Sequence, residues 1–332
     1  MDKWYYNDST DNIVVCSKIE LSRNIKNYPF PNRLNDAQKE KIFTLISSVL
    51  NDDEYTRENL NLINLNDLTA LQLCALAERK IVPPSFCEKN GNKYLFLSKD
   101  ESIRIRICDE DHIKLCVLTN SLSLEENSAK VEQLDSIICS ALPIAFNDNF
   151  GFLTECPTNL GTGMKAQVLL HLPALDGEGS IGSITESVMH IGLSLKPYDD
   201  NHQNNSHLYM LTNHVTLGIT EREAVNNLEA ITKQIAMRER NARMNINRLT
   251  LEDNVMRSLS ILKGAKRLTK TELDGILSNI NLGVTSGIIS DISISLLTEL
   301  YLTSGDNMLK LIKNATDNEA VRADYIKDRL NF

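Results

Sequence analysis

The 332-residue chain is long enough for two domains, and its 42% apolar and 24% charged residues, with 14 Gly and 8 Pro, exclude disordered and collagen-like architectures. A formal net charge of −9 excludes a general nucleic-acid or anionic-membrane binder, which needs excess Lys and Arg to neutralise phosphates. Seven cysteines without a CxxC pair, a polar start (MDKWYYNDSTDN) and no run of about 18 apolar residues predict a reduced, cytoplasmic chain without disulfide framework, zinc knuckle or membrane span.

The first strong periodic signal is Ile42, Leu45, Ile46, Val49 and Leu50, a helical stripe opened by Asn35 with Gln38 as a capping box, so 35–50 is predicted helical. A second apolar stretch, Leu68 to Leu76, reads as a helix that Pro83-Pro84 ends. The period then changes to two. Tyr94 and Phe96, then Ile103, Ile105 and Ile107 alternating with Arg104 and Arg106, then Ile113, Leu115 and Val117 predict an antiparallel hairpin or meander. Ser123 with Glu126 is a capping box opening a helix that carries Val131, Leu134, Ile137 and Ile138, and strand character returns at Val168–Leu172 and Leu208–Leu217. From Thr220, with Glu223 as its capping partner, the pattern is helical to the end. A helix over 220–245 joins a mixed α/β body, 1–245, to an all-helical region, 246–332.

Three segments bear chemistry. Cys156–Lys165 (CPTNLGTGMK) sets a cysteine, two loop glycines and a lysine ahead of an apolar strand; it is either an anion-binding loop or a tight connection with a buried cysteine, and it lacks Walker spacing. Asp109-Glu110-Asp111-His112 places three carboxylates at a hairpin tip, either to orient a cation or hold Mg²⁺, or as a solvated acidic turn. His202, His207 and His214 fit no metal-site spacing and read as exposed loop histidines, so no metal ligand set is expected.

Four blocks occur in a recognisable order: CSKIELSRN (16–24) followed by YPFP (28–31); DEDHIK (109–114); CPTNLGTGMKAQVLLHLPAL (156–175); and LYMLTNHVTLG (208–218). On these the chain resembles the phosphagen (ATP:guanido) kinase family, and within it the McsB-like bacterial protein arginine kinases, from end to end. The resemblance implies an α+β fold: a phosphagen-kinase-like domain with an antiparallel β-sheet flanked by helices, then a helical dimerisation and regulatory domain. It implies ATP and Mg²⁺ as cofactors and transfer of the γ-phosphoryl group to a protein arginine. That chemistry needs carboxylates to orient the guanidinium and accept its proton, a cysteine beside it, and cations clamping the triphosphate.

Carried over by position, the resemblance makes Glu110 the substrate-orienting carboxylate and Cys156 the active-site cysteine. The nucleotide site falls on Ser17, Lys18, Glu20, Lys80, Lys114, Lys165 and Lys196. Five of these, Lys18, Glu20, Lys114, Lys165 and Lys196, stand where the family has arginine, although the chain holds 15 Arg against 20 Lys. Where the family writes RGxYGEGxEA with its second catalytic glutamate, residues 196–204 read KPYDDNHQN, leaving Asp199 or Asp200 as the stand-in. An Arg-to-Lys change replaces a bidentate fork by a point donor, and Glu20 turns attraction for phosphate into repulsion. The expectation is therefore a pseudokinase acting as a binding or regulatory module, the alternative being an active protein arginine kinase with a lysine-based clamp. The lysines and Glu20 should converge on one basic pocket. Near the C-terminus, NEAVRA (318–323) retains Arg322 of a phosphoarginine-reading segment; the same residues also read as a helix capped by Thr316 with Glu319, carrying a solvated arginine. Implied partners are a second copy of the chain, protein arginine or phosphoarginine substrates, the activator McsA, the repressor CtsR and the ClpC/ClpP protease; no nucleic acid or membrane partner is expected.

Overall fold

The computed structural model describes residues 3–6, 13–88, 91–199, 205–314 and 316–332. Its centre is an eight-stranded antiparallel sheet formed by β1 (Val14–Arg23), β2 (Leu60–Asn64), β3 (Tyr94–Ser98), β4 (Ile103–Ile107), β5 (Ile113–Thr119), β8 (Met164–His171), β9 (Leu193–Pro197) and β10 (Leu208–Asn213). The spatial order is β2-β3-β4-β5-β1-β8-β10-β9, and a separate two-stranded hairpin pairs β6 (Phe146–Asn147) with β7 (Gly151–Phe152).

One face of the sheet is covered by α1 (Asp36–Asp52), α4 (Leu124–Ala141), α6 (Ile181–Met189) and α7 (Glu221–Met244), with the short α2 (Glu54–Asn59) and α5 (Pro173–Gly177) beside them. Ile42, Ile46 and Leu50 of α1, Val131, Leu134 and Ile138 of α4, and Leu228 and Ile235 of α7 meet Ile19, Leu21, Ile105, Leu115 and Val168 of the strands in one core. Each of these side chains stabilises the fold by roughly 1.5–3 kcal/mol on burial. The opposite face is covered at its β3 end by α3 (Ala70–Glu78). Towards its middle it meets Trp4, Tyr5 and the helical region: α8 (Arg248–Gly264), α9 (Lys270–Thr285), α10 (Ile294–Thr303), α11 (Asp306–Lys313) and α12 (Asn318–Leu330). Those five helices share a core of their own around Val255, Leu273, Ile280, Leu300, Leu309 and Ile326. Among the described residues no helix is long and apolar enough to cross a membrane.

The capping boxes at Asn35 and Thr220 open their helices as the pattern requires. The Ser123 box does not form. The helix starts at Leu124, but the Ser123 side chain caps nothing and its backbone N–H donates to Ser17 Oγ at 3.0 Å. The second helix stops at Glu78, because Lys80 takes a left-handed φ of 56° before the prolines are reached. The strand expected over 208–217 ends at Asn213. Strands β1, β2 and β9 are additions to the sequence reading, and at the C-terminus the cap of α12 is Asp317, accepting from Ala320 N–H at 3.3 Å, in place of Thr316.

Candidate active site

Period-two geometry decides which side chains meet. Ile19 and Leu21 of β1 enter the core, so Lys18 and Glu20 point to the other face. Across the ladder Lys18 faces Gln167 and Glu20 faces Lys165; Glu20 also sits opposite Cys116, and Lys114 lies opposite Arg106. This face floors a cavity of about 1170 Å³ lined by Lys18, Lys80, Lys114, Lys165 and Lys196, with Glu20 among them. Among the described residues lining it are ten lysines and arginines against six carboxylates, a local excess of four positive charges in a chain of net charge −9.

Ser17 is not in this cavity. The same alternation turns it to the opposite face under α4, where its hydroxyl donates to Ser121 O at 2.6 Å and accepts from Asn127 Nδ2 at 3.2 Å. A nucleotide contact by Ser17 does not fit that placement. Asp200 lies outside the described residues. Its neighbour Asp199 accepts from Lys80 Nζ at 2.9 Å and from the Tyr301 hydroxyl. Burial works to raise the Asp199 pKa, yet Lys80 and the Tyr301 hydrogen bond hold it below the ordinary aspartate value.

Glu20 is the electrostatic centre of the floor. Its carboxylate lies 2.8 Å from Arg106 Nη2 and 3.9 Å from Lys114 Nζ. Burial works to raise its pKa, but Arg106, Lys18, Lys114 and Lys165 outweigh that and hold it well below the carboxylate range. Arg106 also lies 2.8 Å from Asp109, and burial, which would weaken its proton affinity, is overridden by Glu20 and Asp109. Lys114 pairs with Glu110 at 2.6 Å; its pKa is raised because Glu20 and Glu110 overcome its burial. By contrast, the side chains of Lys18, Lys165 and Lys196 have no hydrogen-bond or ion-pair partner among the described residues.

The acidic hairpin tip is not a solvated turn. Asp111 and His112 are fully buried, with Asp111 Oδ1 accepting from Asn24 Nδ2 (2.7 Å) and from Glu155 N–H (2.9 Å). His112 Nδ1 accepts from Ile25 N–H at 2.9 Å, which leaves Nε2 to donate to Pro29 O at 2.8 Å, and burial lowers its pKa. These bonds tie the tip to the cysteine loop. Cys156 is half-buried and does not itself line the cavity, although its neighbours Glu155 and Thr158 do; its Sγ lies 3.0 Å from Thr158 Oγ1. Thr216 Oγ1 donates to Thr158 O (2.9 Å) and Leu160 O (2.7 Å), fixing the loop beyond it. A Cβ on Gly161 would meet Thr216 O at 2.2 Å, and the φ of +110° already disfavours an L side chain. Gly161→Ala is therefore expected to displace this loop and destabilise the protein by at least about 1–3 kcal/mol, measured by urea unfolding.

The helical region supplies a wall of the cavity, with Asp274, Ser278 and Asn281 on α9 and Leu297 and Tyr301 on α10. It is fastened there. His171 Nε2 lies 2.7 Å from Ser278 Oγ, and Glu78 at the end of α3 accepts from the first N–H groups of α11, Asn307 (3.0 Å) and Met308 (2.9 Å). Sequence reasoning missed this wall, and missed Arg104, Arg106 and Glu155 as lining residues. The only available signal was the IRIRI alternation, which puts both arginines on one face. Arg322 stands apart from the cavity. It is buried, donating to Ser304 O (2.8 Å), Leu268 O (2.7 Å) and Asp306, so it is not the solvated residue considered for this helix.

The sequence matches the family described as ATP:guanido phosphotransferase, C-terminal catalytic domain, over residues 41–242, and the protein-arginine kinase McsB C-terminal domain over 248–332. It is 33% identical over 328 residues to a protein-arginine kinase of Halothermothrix orenii, covering 96% of this chain and 93% of that one. It is also 33% identical over 340 residues to a protein-arginine kinase of Clostridium tetani, covering 99% of each. Solved structures share the fold at 20% identity. The substrate-free duplicated taurocyamine kinase of Schistosoma mansoni has a TM-score of 0.61 over 76% of this chain and 39% of that one. A lombricine kinase has a TM-score of 0.58 over 70% and 68%.

Proposed function

The chain belongs to the ATP:guanido phosphotransferase family, in its protein-arginine kinase branch, and on that premise we propose that it is a pseudokinase: a binding or regulatory module whose nucleotide clamp has become a lysine-rich anion cavity. The observation that carries this reading is Glu20. A buried carboxylate held ionised 2.8 Å from Arg106 neutralises that arginine and repels any phosphate brought to the floor. At an effective dielectric of 20, two like charges about 4 Å apart repel by roughly 4 kcal/mol. Losing two charge-assisted bonds of about 1.5–3 kcal/mol each in the transition state costs on the order of 10²–10⁴ in rate. ATP, with Mg²⁺ as the counter-ion of its phosphates, remains the family's co-substrate. Here Lys18, Lys165 and Lys196 fit an anion and Glu20 does not.

Lys114 carries the same message, since it is engaged with Glu110, the carboxylate that the family resemblance assigns to the substrate. A second reading, an active kinase with a lysine clamp, draws on the three uncommitted lysines and on the presence of Glu110 and Cys156 beside the cavity. One experiment separates them: incubation with ATP-Mg and an unfolded protein substrate, read by phosphoarginine-preserving mass spectrometry. We expect no phosphoarginine. Modification that disappears in Glu110→Ala and Cys156→Ser would overturn the pseudokinase and establish the kinase. Homodimerisation through the helical region belongs to the same proposal, supported by exposed Leu249, Met256 and Ile261 on α8.

A further inference from the structure

We propose that Cys74 and Cys87 are a redox-modification site, a thiol pair beside the rim of the cavity that hydrogen peroxide converts to an intramolecular disulfide. Cys74 lies on α3, and Cys87 ends the short 3₁₀ turn Pro84–Cys87 that packs against that helix. Cys87 Sγ lies 3.2 Å from the Leu73 carbonyl oxygen. Across one trans peptide unit a carbonyl oxygen stands about 2.8 Å from the next Cα, so Cys87 Sγ is no more than about 6 Å from the Cα of Cys74. In a disulfide each sulfur sits roughly 4 Å from its partner's Cα, so a side-chain rotation with a shift of about 2 Å brings the two sulfurs together.

The two thiols have different surroundings, which sets the order of the steps. Cys74 is exposed and meets the oxidant first. Cys87 is half-buried, and burial, then Cys74, raise its pKa, so it waits as a thiol donating to Leu73 O. The remaining cysteines are placed differently. Cys16, Cys108 and Cys116 are buried, Cys139 is hydrogen-bonded to Asp135 with its pKa pushed up to about 11 by burial and that carboxylate, and Cys156 adjoins the Thr158 hydroxyl. In the first step the Cys74 sulfur forms an S–O bond as the O–O bond of peroxide breaks, giving a sulfenic acid and one water. In the second the Cys87 sulfur displaces that hydroxyl: the S–S bond forms, the S–O bond breaks, and the hydroxyl leaves with the Cys87 proton as a second water. Two thiols are oxidised by two electrons in all, and one peroxide is reduced to two waters.

The segment closed by this bond borders the cavity. Arg79, Lys80, Ile81 and Val82 line it, and Arg104 holds the carbonyls of Lys80 and Ile81. The segment leaves α3 at Glu78, the residue that accepts from the Asn307 and Met308 N–H groups of α11. A Cys74–Cys87 bond ties its far end back to the same helix, so oxidation restrains the cavity rim beside the mooring of the helical region. The pair lies outside the nucleotide clamp, and its chemistry does not depend on whether the chain is a kinase.

The test is peptide mapping by mass spectrometry of the full chain after brief treatment with hydrogen peroxide and alkylation of the remaining thiols. A Cys74–Cys87 linked peptide pair should form, two hydrogens lighter than the free thiols, and dithiothreitol should restore both. In Cys87→Ser, dimedone should trap a sulfenic acid at Cys74 that the wild type does not accumulate. In Cys74→Ser the link should vanish and Cys87 should stay reduced. Amide hydrogen exchange across residues 79–86 should slow when the wild type is oxidised and stay unchanged in either variant. Both thiols left free, a Cys74–Cys74 link between two copies, equal dimedone trapping in wild type and Cys87→Ser, or unchanged exchange across 79–86 in the linked protein would overturn the inference. Phosphoarginine formation in the kinase assay would overturn the pseudokinase reading and leave the thiol pair standing.

Discussion

Glu20→Gln should raise the affinity of the cavity for ATP-Mg at least about tenfold while lowering the stability of the protein. The gain follows from charge. Removing the carboxylate takes away a repulsion of up to roughly 4 kcal/mol at 4 Å and releases Arg106 Nη2, whose Nε stays paired with Asp109; solvent reaching an open cavity screens part of it, and one decade needs only about 1.4 kcal/mol. The loss follows from the same ion pair. Removing one partner of a buried pair typically costs about 3–5 kcal/mol, and the lower end applies here because Asp109 remains 2.8 Å from Arg106. The acid limb supplies a second readout. A carboxylate whose folded pKa is depressed contributes fully above its unfolded value, near 4.5, and loses that contribution as pH falls towards the folded value. Wild type should therefore lose stability more steeply below pH 4.5 than Glu20→Gln. Adding Lys18→Arg and Lys165→Arg should strengthen nucleotide binding further, whereas Glu20→Arg would set a guanidinium against Arg106 and Lys114. Titration showing the same ATP affinity in Glu20→Gln and wild type would remove the main support for a disabled clamp.

What the sequence disclosed about this site depended on whether a residue's role was local or assembled from distant parts. The helices at 36–52 and 221–244 were legible because capping boxes and a 3.6-residue stripe are local signals. Lys18, Glu20, Lys114 and Lys165 could be assigned to one cavity because each stands in a motif of fixed spacing, whereas Lys80 and Lys196 lie outside those motifs and were carried over by position alone. Arg104 and Arg106 were visible as an alternation, but their burial arises from α3 and the helical region closing over the sheet, which no local pattern records. Glu155 was overlooked for the same reason. Beside Cys156 it reads as an ordinary charged loop residue, and its character comes from Asp111, 44 positions earlier in the chain. Ser17 failed in the opposite direction, since membership of a motif says nothing about the sheet face, and a shift of one residue is a change of face.

Arg322→Ala should destabilise the helical region by about 3–5 kcal/mol, the usual effect of removing a fully buried, hydrogen-bonded charge that other groups are built around. The guanidinium bridges three separate segments: Leu268 O before α9, Ser304 O after α10, and the Asp306 carboxylate at the start of α11. Without it two buried carbonyls lose their donor and three helix ends lose a common anchor. At roughly 4–8 °C per kcal/mol for a unit of 60–100 residues, the helical region should melt more than about 12 °C earlier in a calorimetric scan. Asp306→Asn should cost much less, because the Asp306 side chain is 55% exposed and both carbonyl bonds survive. The ordering of these two variants separates a structural arginine from a phosphoarginine reader. A ligand-reading Arg322 would have to leave both carbonyls to reach a phosphate, so a reader predicts lost phosphoarginine affinity with an unchanged melting temperature in Arg322→Ala. The buried geometry predicts the reverse.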